Sequence, residues 1–422
     1  MGGRAVGHSG ATWLDPHPRP LPTRAGESQI SRTILLYQKN LILKEAFLIR
    51  ESPMQSLLSI FREVHDPRDF NARHELPAIL FIALAATLCG AKSCVAIADF
   101  ATAYVGLLTE IVDLPYGAPS HDCFSRVFRL LDPEETLQAL TRFVAALREG
   151  LGLGPASGVV AIDGKRLRRG YERGRACMPP LMVSVWDADT RLSLSARHAP
   201  GGNEVAATLA ALKSLVLKGC IVTADALHCH PAMAAEVLKT GAHYALKLKA
   251  NNAPLFTCVE AAFAAADNDK KRKLAFHEES EFAHDRRERR RASVIKRPAK
   301  APDFPGLAAV GRIIAERQVG NGKLTKTVHY VVMSKRLTPM RMLEVTRTHW
   351  CVENQLHWPL DVVFREDDAR TRKDYGPQNL AIIRRIAIDI LRAHPDNRSV
   401  GRKMNLAAWK REFFFDLFTH LR

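Results

Sequence analysis

Gly158-Val159-Val160-Ala161-Ile162-Asp163-Gly164-Lys165 decides the fold. Upstream of it apolar residues recur at helical spacing. From Val159 to Ile162 they run unbroken and then stop at an acid and a glycine. Four consecutive apolar residues bounded this way spell a short strand buried on both faces, ending at Asp163-Gly164. The chain beyond it reads as strands at Leu181 to Trp186 and Leu192 to Arg197, a helix capped by Asn203, and a strand at Ile221 to Ala224. A helix from Pro231 to Thr240 and a strand at His243 to Leu248 follow. Three successive strands followed by helix, strand, helix and strand predict an α/β, mixed-sheet domain beginning near residue 153.

Working outward, residues 54–152 are helical in rhythm: Leu57 to Phe61, His74 to Cys89, Val95 to Leu108, Phe124 to Leu131 and Glu134 to Leu147. They predict an all-helical N-terminal domain. Residues 1–53 carry Pro- and Arg-containing stretches without periodicity and read as a poorly ordered or spurious extension, since Met54 opens the first amphipathic segment. On the other side, a helix spans Pro254 to Ala266. Residues 267–336 form an insertion, dense in charge around Arg286 to Arg291 and strand-like at Leu307 to Val319 and Lys326 to Ser334. From Pro339 the chain is helical again. The catalytic domain is expected to close near residue 396, with a helical tail over 397–422 that includes Leu406 to Leu421.

Of 422 residues, 61 are Lys or Arg and 44 are Asp or Glu, a net charge of +17 that favours a polyanionic partner, with nucleic acid first. The cysteines form no CxxC pair, which suits a reducing cytoplasm. The longest apolar run, Ile79 to Leu88, is too short for a bilayer. A cytoplasmic protein without a membrane role is expected.

Asp163 and Asp225 each follow a buried strand, at the sheet edge where ligands gather in α/β folds. Converging carboxylates repel unless cations lie between them, which points to Mg²⁺ or Mn²⁺. A third acid is expected from a later helix. In Arg347-Thr-His-Trp-Cys-Val-Glu353-Asn-Gln-Leu-His-Trp358, helical spacing aligns His349, Glu353 and His357, and Glu353 is preferred over Glu366, Asp367 and Asp368. Lys165, Arg166, Lys247 and Lys249 stand near strand ends where phosphates could be held, with Arg347, His349 and Asn354 as further DNA contacts. Trp350 and Trp358 read as packing residues. His228-Cys229-His230 is too local to complete a zinc site.

Ala161-Ile-Asp163-Gly-Lys165, Thr223-Ala-Asp225-Ala, Tyr244 to Asn251, His349-Trp350, Glu353-Asn354, Leu356-His-Trp358 and Leu360-Asp-Val362 with Phe364-Arg-Glu-Asp367 together resemble bacterial insertion-sequence transposases, the H-repeat-associated group in particular. The likeness extends to Asp66-Pro67-Arg68, His74, Gly90 and Pro119 to Asp122. It implies a ribonuclease H-like core with an insertion, and a DDE transposase whose Asp163, Asp225 and Glu353 bind two Mg²⁺ or Mn²⁺ ions. It also implies cleavage at terminal inverted repeats, strand transfer into target DNA and a homodimer on DNA. The sequence departs from the group at Gly201-Gly202 ahead of Asn203-Glu204 (Lys-Ser is usual), at Asn252 (Gln), at His228-Cys-His230 (Gly-Cys-Gln) and at Cys123 (Thr). Two competing readings are an inactive or domesticated relative that binds DNA without cutting it, and a structure-specific nuclease on the same fold.

Overall fold

The computed structural model describes residues 53–171, 178–269, 273–283 and 285–419; residues 1–52, read above as extension, lie outside the described residues. Among the described residues nine strands form a single sheet in the order β3-β2-β1-β4-β5-β9-β8-β7-β6. They are β1 (Val159–Arg166), β2 (Leu181–Asp187), β3 (Leu192–Ala199), β4 (Ile221–Ala224), β5 (His243–Leu248), β6 (Phe276–Ala283), β7 (Arg286–Lys296), β8 (Ala309–Val319) and β9 (Thr325–Met333). β1, β4 and β5 run parallel, while β2 pairs antiparallel with both β1 and β3.

β1 is longer than its apolar run. Parallel pairing with β4 ends at Ile162 opposite Ala224, but antiparallel pairing with β2 continues through Asp163 opposite Ser184 to Arg166 opposite Leu181. Asp163 is therefore inside the strand rather than at its end. One neighbour keeps the ladder going after the other has turned away, so Asp163 sits where the sheet opens on its β4 side.

Strand alternation assigns the two faces. Ala161, Met182, Trp186 and Ala196 face a core shared with the helices Leu76–Leu88, Pro133–Gly150 and Gly376–Ala393. Val160, Ile162, Val183 and Val185 face the helices Glu204–Lys213, Pro231–Lys239 and Ala253–Asn268 through Ala211, Val237 and Phe263. The N-terminal helices thus pack on the sheet itself. Leu76–Leu88 is apolar all round, and every residue of it except Pro77 is buried. The tail expected as one helix over Leu406 to Leu421 is instead two helices, Val400–Trp409 and Arg411–Asp416. They are separated at Lys410, whose backbone is extended.

The insertion is part of the sheet, because β9 pairs antiparallel with β5. Its first two strands, β6 and β7, lie in the stretch read only as charge-dense. Up to Arg291 their residues are held by cross-strand charge pairs rather than by burial: Glu278 reaches Arg289 at 2.8 Å and Arg291 at 2.9 Å, and Arg289 also approaches Glu316. The basic run Arg286 to Arg291 is thus substantially neutralised within the sheet. The helix Pro339–His349 crosses the β-rich half, with Met342 and Leu343 in a core with Ala292, Ala309 and Met333.

Gly311 on β8 permits that crossing, since a Cβ there would lie 1.9 Å from Met342 Sδ. Gly311→Ala is expected to lower stability by about 1–3 kcal/mol, read as a fall in the urea midpoint at constant slope. An unchanged midpoint would show that the helix does not depend on this close approach.

Candidate active site

Asp163 and Asp225 come from adjacent parallel strands and face the C-terminal helical segment. Asp163 is largely buried. Burial, and then the charges of Asp225, Glu204 and Glu353, push its carboxyl up to about 7, against the pull of the Gly164 amide that donates to it at 3.0 Å. Asp225, just past β4, is exposed, with Lys247 Nζ at 3.8 Å and His349 Nε2 at 3.9 Å. Thr223, in register with Ala161, places its hydroxyl 3.2 Å from His349 Nδ1.

His357 Nδ1 lies 3.4 Å from Asp163 Oδ2, so each aspartate has one imidazole beside it. Burial pushes His357 down to about 3, helped by the nearby charges of Arg385 and Lys165, and burial lowers His349 as well. Both rings are therefore neutral at physiological pH. Between them the chain departs from α-helical geometry: Glu353–His357 is a π-helical turn, followed by a helix over Trp358–Val362. Such turns recur at functional sites. Glu353 opens the turn, is exposed, and has no cation partner among the described residues.

The competing acids Glu366, Asp367 and Asp368 are all claimed by cations. Lys165 Nζ, on β1 two residues from Asp163, lies 2.6 Å from Asp361, 2.8 Å from Asp367 and 3.6 Å from Glu366. Burial opposes the charge of Lys165, but these carboxylates outweigh it and hold the ammonium above the ordinary lysine range. Glu366 is buried and accepts from Arg385 Nη1 at 3.3 Å; Arg385 Nε donates to Ser184 Oγ at 3.4 Å, and Ser184 is the cross-strand partner of Asp163. Asp368 pairs with Arg365 and Arg169.

The seven candidate DNA contacts divide accordingly. Lys165 is enclosed by carboxylates, which opposes a phosphate role. Lys247, Arg347, His349 and Asn354 line a cleft of about 1040 Å³ with Glu353, between the β-rich half and the Pro339–His349 helix. Within it Arg347 is bound by Glu279 at 2.7 Å and Glu281 at 3.0 Å. Arg166 and Lys249 are exposed outside the lining. Trp350 and Trp358 are more than half exposed rather than packed, and Lys247 Nζ lies 5.7 Å from the Trp350 ring. In the histidine-rich loop His228 approaches Glu204 at 3.2 Å and His230 caps the next helix by accepting from Met233 N.

A family model described as "Transposase DDE domain" matches residues 154–390, and a second, described as DDE_Tnp_1-associated, matches residues 58–144. The chain belongs to the DDE transposase family. It is 30% identical over 358 residues to "Putative protein YbfL" of Escherichia coli K12, covering 82% of this chain and 92% of that one. With the "H repeat-associated putative transposase YhhI" of the same organism it shares 29% identity at the same coverage. A structure of the piggyBac transposase synaptic complex with hairpin DNA superposes at a TM-score of 0.41 and 12% identity, over 88% of this chain and 81% of that one. That superposition is too loose to support a functional reading.

The family generally uses divalent metal ions. In this transposase-family chain the donor set fits such an ion chemically: the acids around Asp163 offer oxygen ligands only, and their like charges lift the Asp163 carboxyl. Among the described residues, however, no three His, Cys, Asp or Glu side chains are gathered into a metal-holding group. Sequence reading missed Glu204, which faces Gly164 so closely that a Cβ there would lie 2.6 Å from its carboxyl carbon. The Asn203-Glu204 motif was the available signal. It also missed the Lys165 cluster, to which Leu360-Asp-Val and Phe364-Arg-Glu-Asp were the pointers.

Lys165→Met leaves three acids without their shared cation and is expected to cost about 3–5 kcal/mol at neutral pH. The loss should shrink toward pH 4, where free carboxyls take up protons. The wild-type contribution lasts through neutral pH and falls only above the ordinary lysine range, because its folded-state value is raised. Urea unfolding of both proteins at neutral and acid pH checks this; an equal deficit at both would rule out the charge account.

Proposed function

We propose that the chain is an active DNA transposase that cuts at insertion-sequence ends and joins them to target DNA, with Asp163, Asp225 and Glu353 as the carboxylates that hold two Mg²⁺ or Mn²⁺ ions. The observation that carries this is the position of Asp163 and Asp225 on adjacent parallel strands at one sheet edge, with the charges of Asp225 and Glu353 felt at Asp163 and no cation assigned to Glu353 among the described residues. The order β3-β2-β1-β4-β5, with β2 alone antiparallel to β1, supports a ribonuclease H-like core.

Bound ions, held by Asp163, Asp225 and Glu353, would supply the positive charge that activates an attacking hydroxyl and steadies a leaving 3′-oxygen. The chain's own residues do the rest. His357 and His349, neutral and beside Asp163 and Asp225, hold the carboxylates in orientation. Lys247, Asn354 and His349, along the cleft beside Glu353, position the phosphodiester, with Arg166, Lys249 and Arg347 as outer backbone contacts. Water attacks first at the element ends. The freed 3′-hydroxyl then attacks target DNA, in a homodimer that brings two ends together on nucleoid DNA in the bacterial cytoplasm. No helix among the described residues is long and apolar enough to cross a membrane.

The absence of a gathered three-ligand group among the described residues favours a second reading, a relative that binds DNA without cutting it. Incubating the purified chain with labelled DNA from the flanks of its gene, with Mg²⁺ or Mn²⁺, separates the two. Under the first reading wild type nicks the inverted repeats. Asp163→Ala, Asp225→Ala and Glu353→Ala each lose at least about a hundredfold in rate while still binding. Undiminished nicking in all three variants would sink this reading, and binding without nicking by wild type would establish the second.

A further inference from the structure

We propose that a separate arginine-lined cavity, formed by Arg169, Tyr171, Arg370 and Arg372, is a subsite for the phosphodiester backbone of DNA close to the scissile bond. This rests on the transposase reading above and assigns residues that neither the carboxylate site nor the large cleft contains. The cavity has a volume of about 490 Å³, and no acid lines it among the described residues. The larger cleft differs in this respect, because its Arg347 and Arg290 are already held by glutamates. Three converging guanidiniums with no acid among the described lining residues repel one another, and an anion with several oxygens relieves that repulsion through paired N–H donors.

The arginines are only partly committed within the protein. Arg372 donates its Nε to the Arg169 carbonyl at 3.2 Å, which ties the two loops and leaves its terminal nitrogens to the cavity. Among the described residues Arg169 has one long ion pair, 3.5 Å to Asp368, an acid it shares with Arg365. Arg370 is exposed and has no ion pair among the described residues. The half-buried Tyr171 adds a ring and a hydroxyl.

The position suits a backbone contact. Arg169 lies six positions after Asp163, a reach of at most about 20 Å. At about 3.4 Å per nucleotide along one strand, that is within some six nucleotides of the cut. Asp367, bound by both Lys165 and Arg168, anchors the 365–372 loop to the end of β1, so the cavity is fixed relative to the carboxylates.

The test uses the full chain and fluorescent duplex DNA, titrated across a salt series without metal, in wild type, Arg370→Ala/Arg372→Ala and the matching double Lys variant. The expected result is at least about tenfold weaker binding in the Ala pair, with the slope of log affinity against log salt reduced by about two and a partial rescue by Lys. Unchanged affinity and slope overturn the proposal, as does weaker binding with an unchanged slope, which marks a folding defect. A parallel titration with ATP separates a backbone site from a nucleotide pocket: ATP binding lost in the Ala pair while DNA binding is untouched also overturns it. Because no metal or cleavage enters, failure of the carboxylate assignment would leave this result intact.

Discussion

The geometry of the site depends on one buried ammonium. Lys165 stands on the central strand two residues from Asp163, and the three carboxylates around it, Asp361, Glu366 and Asp367, all belong to the segment just downstream of Glu353. An ion in a poorly solvated place is tolerable only with partners, and the partners are tolerable only with it. Strand and helical segment are therefore seated together or not at all. Arg385 extends the same bargain to the far side of β1, bridging Glu366 to the Ser184 that pairs with Asp163.

That dependence explains which parts of the molecule were legible beforehand. Val159 to Ile162 and Ile221 to Ala224 are buried on both sides, so their apolar runs announce strands, and the acids that follow mark the sheet edge. β6 and β7 gave no such signal. Glu278 with Arg289 and Arg291 is a pairing across strands, and a polar strand held by charge looks like any solvated charge run until its neighbour is known. The helical break at Lys410 was equally silent, since no proline or glycine marks it.

At the site, helical spacing put His349, Glu353 and His357 on one segment, and the structure brings His349 beside Asp225 and His357 beside Asp163, but the π-helical turn between the two histidines had no local signal. Lys165 looked like a cation beside a strand end, available to phosphate; only the return of the chain nearly two hundred residues later, with Asp361 and Asp367, encloses it. Trp350 and Trp358 misled in the other direction. Large apolar rings are buried on average, and here both are turned outward, one of them beside Lys247. Contacts between distant segments carry the information that local pattern lacks.

The π-helical turn limits how this segment can evolve. Each residue of an α-helix advances the chain by about 100°, so the widened turn over Glu353–His357 works as a phase shift between the part holding His349 and the part holding His357 and Asp361. Deleting one residue there would rotate everything downstream by that angle, carrying His357 away from Asp163 and Asp361 away from Lys165 together. Substitutions can accumulate at the positions of this stretch that make no such contact, but changes of length cannot. The interval from His349 to Asp361 should therefore keep its residue count in descendants of this gene that still depend on both contacts.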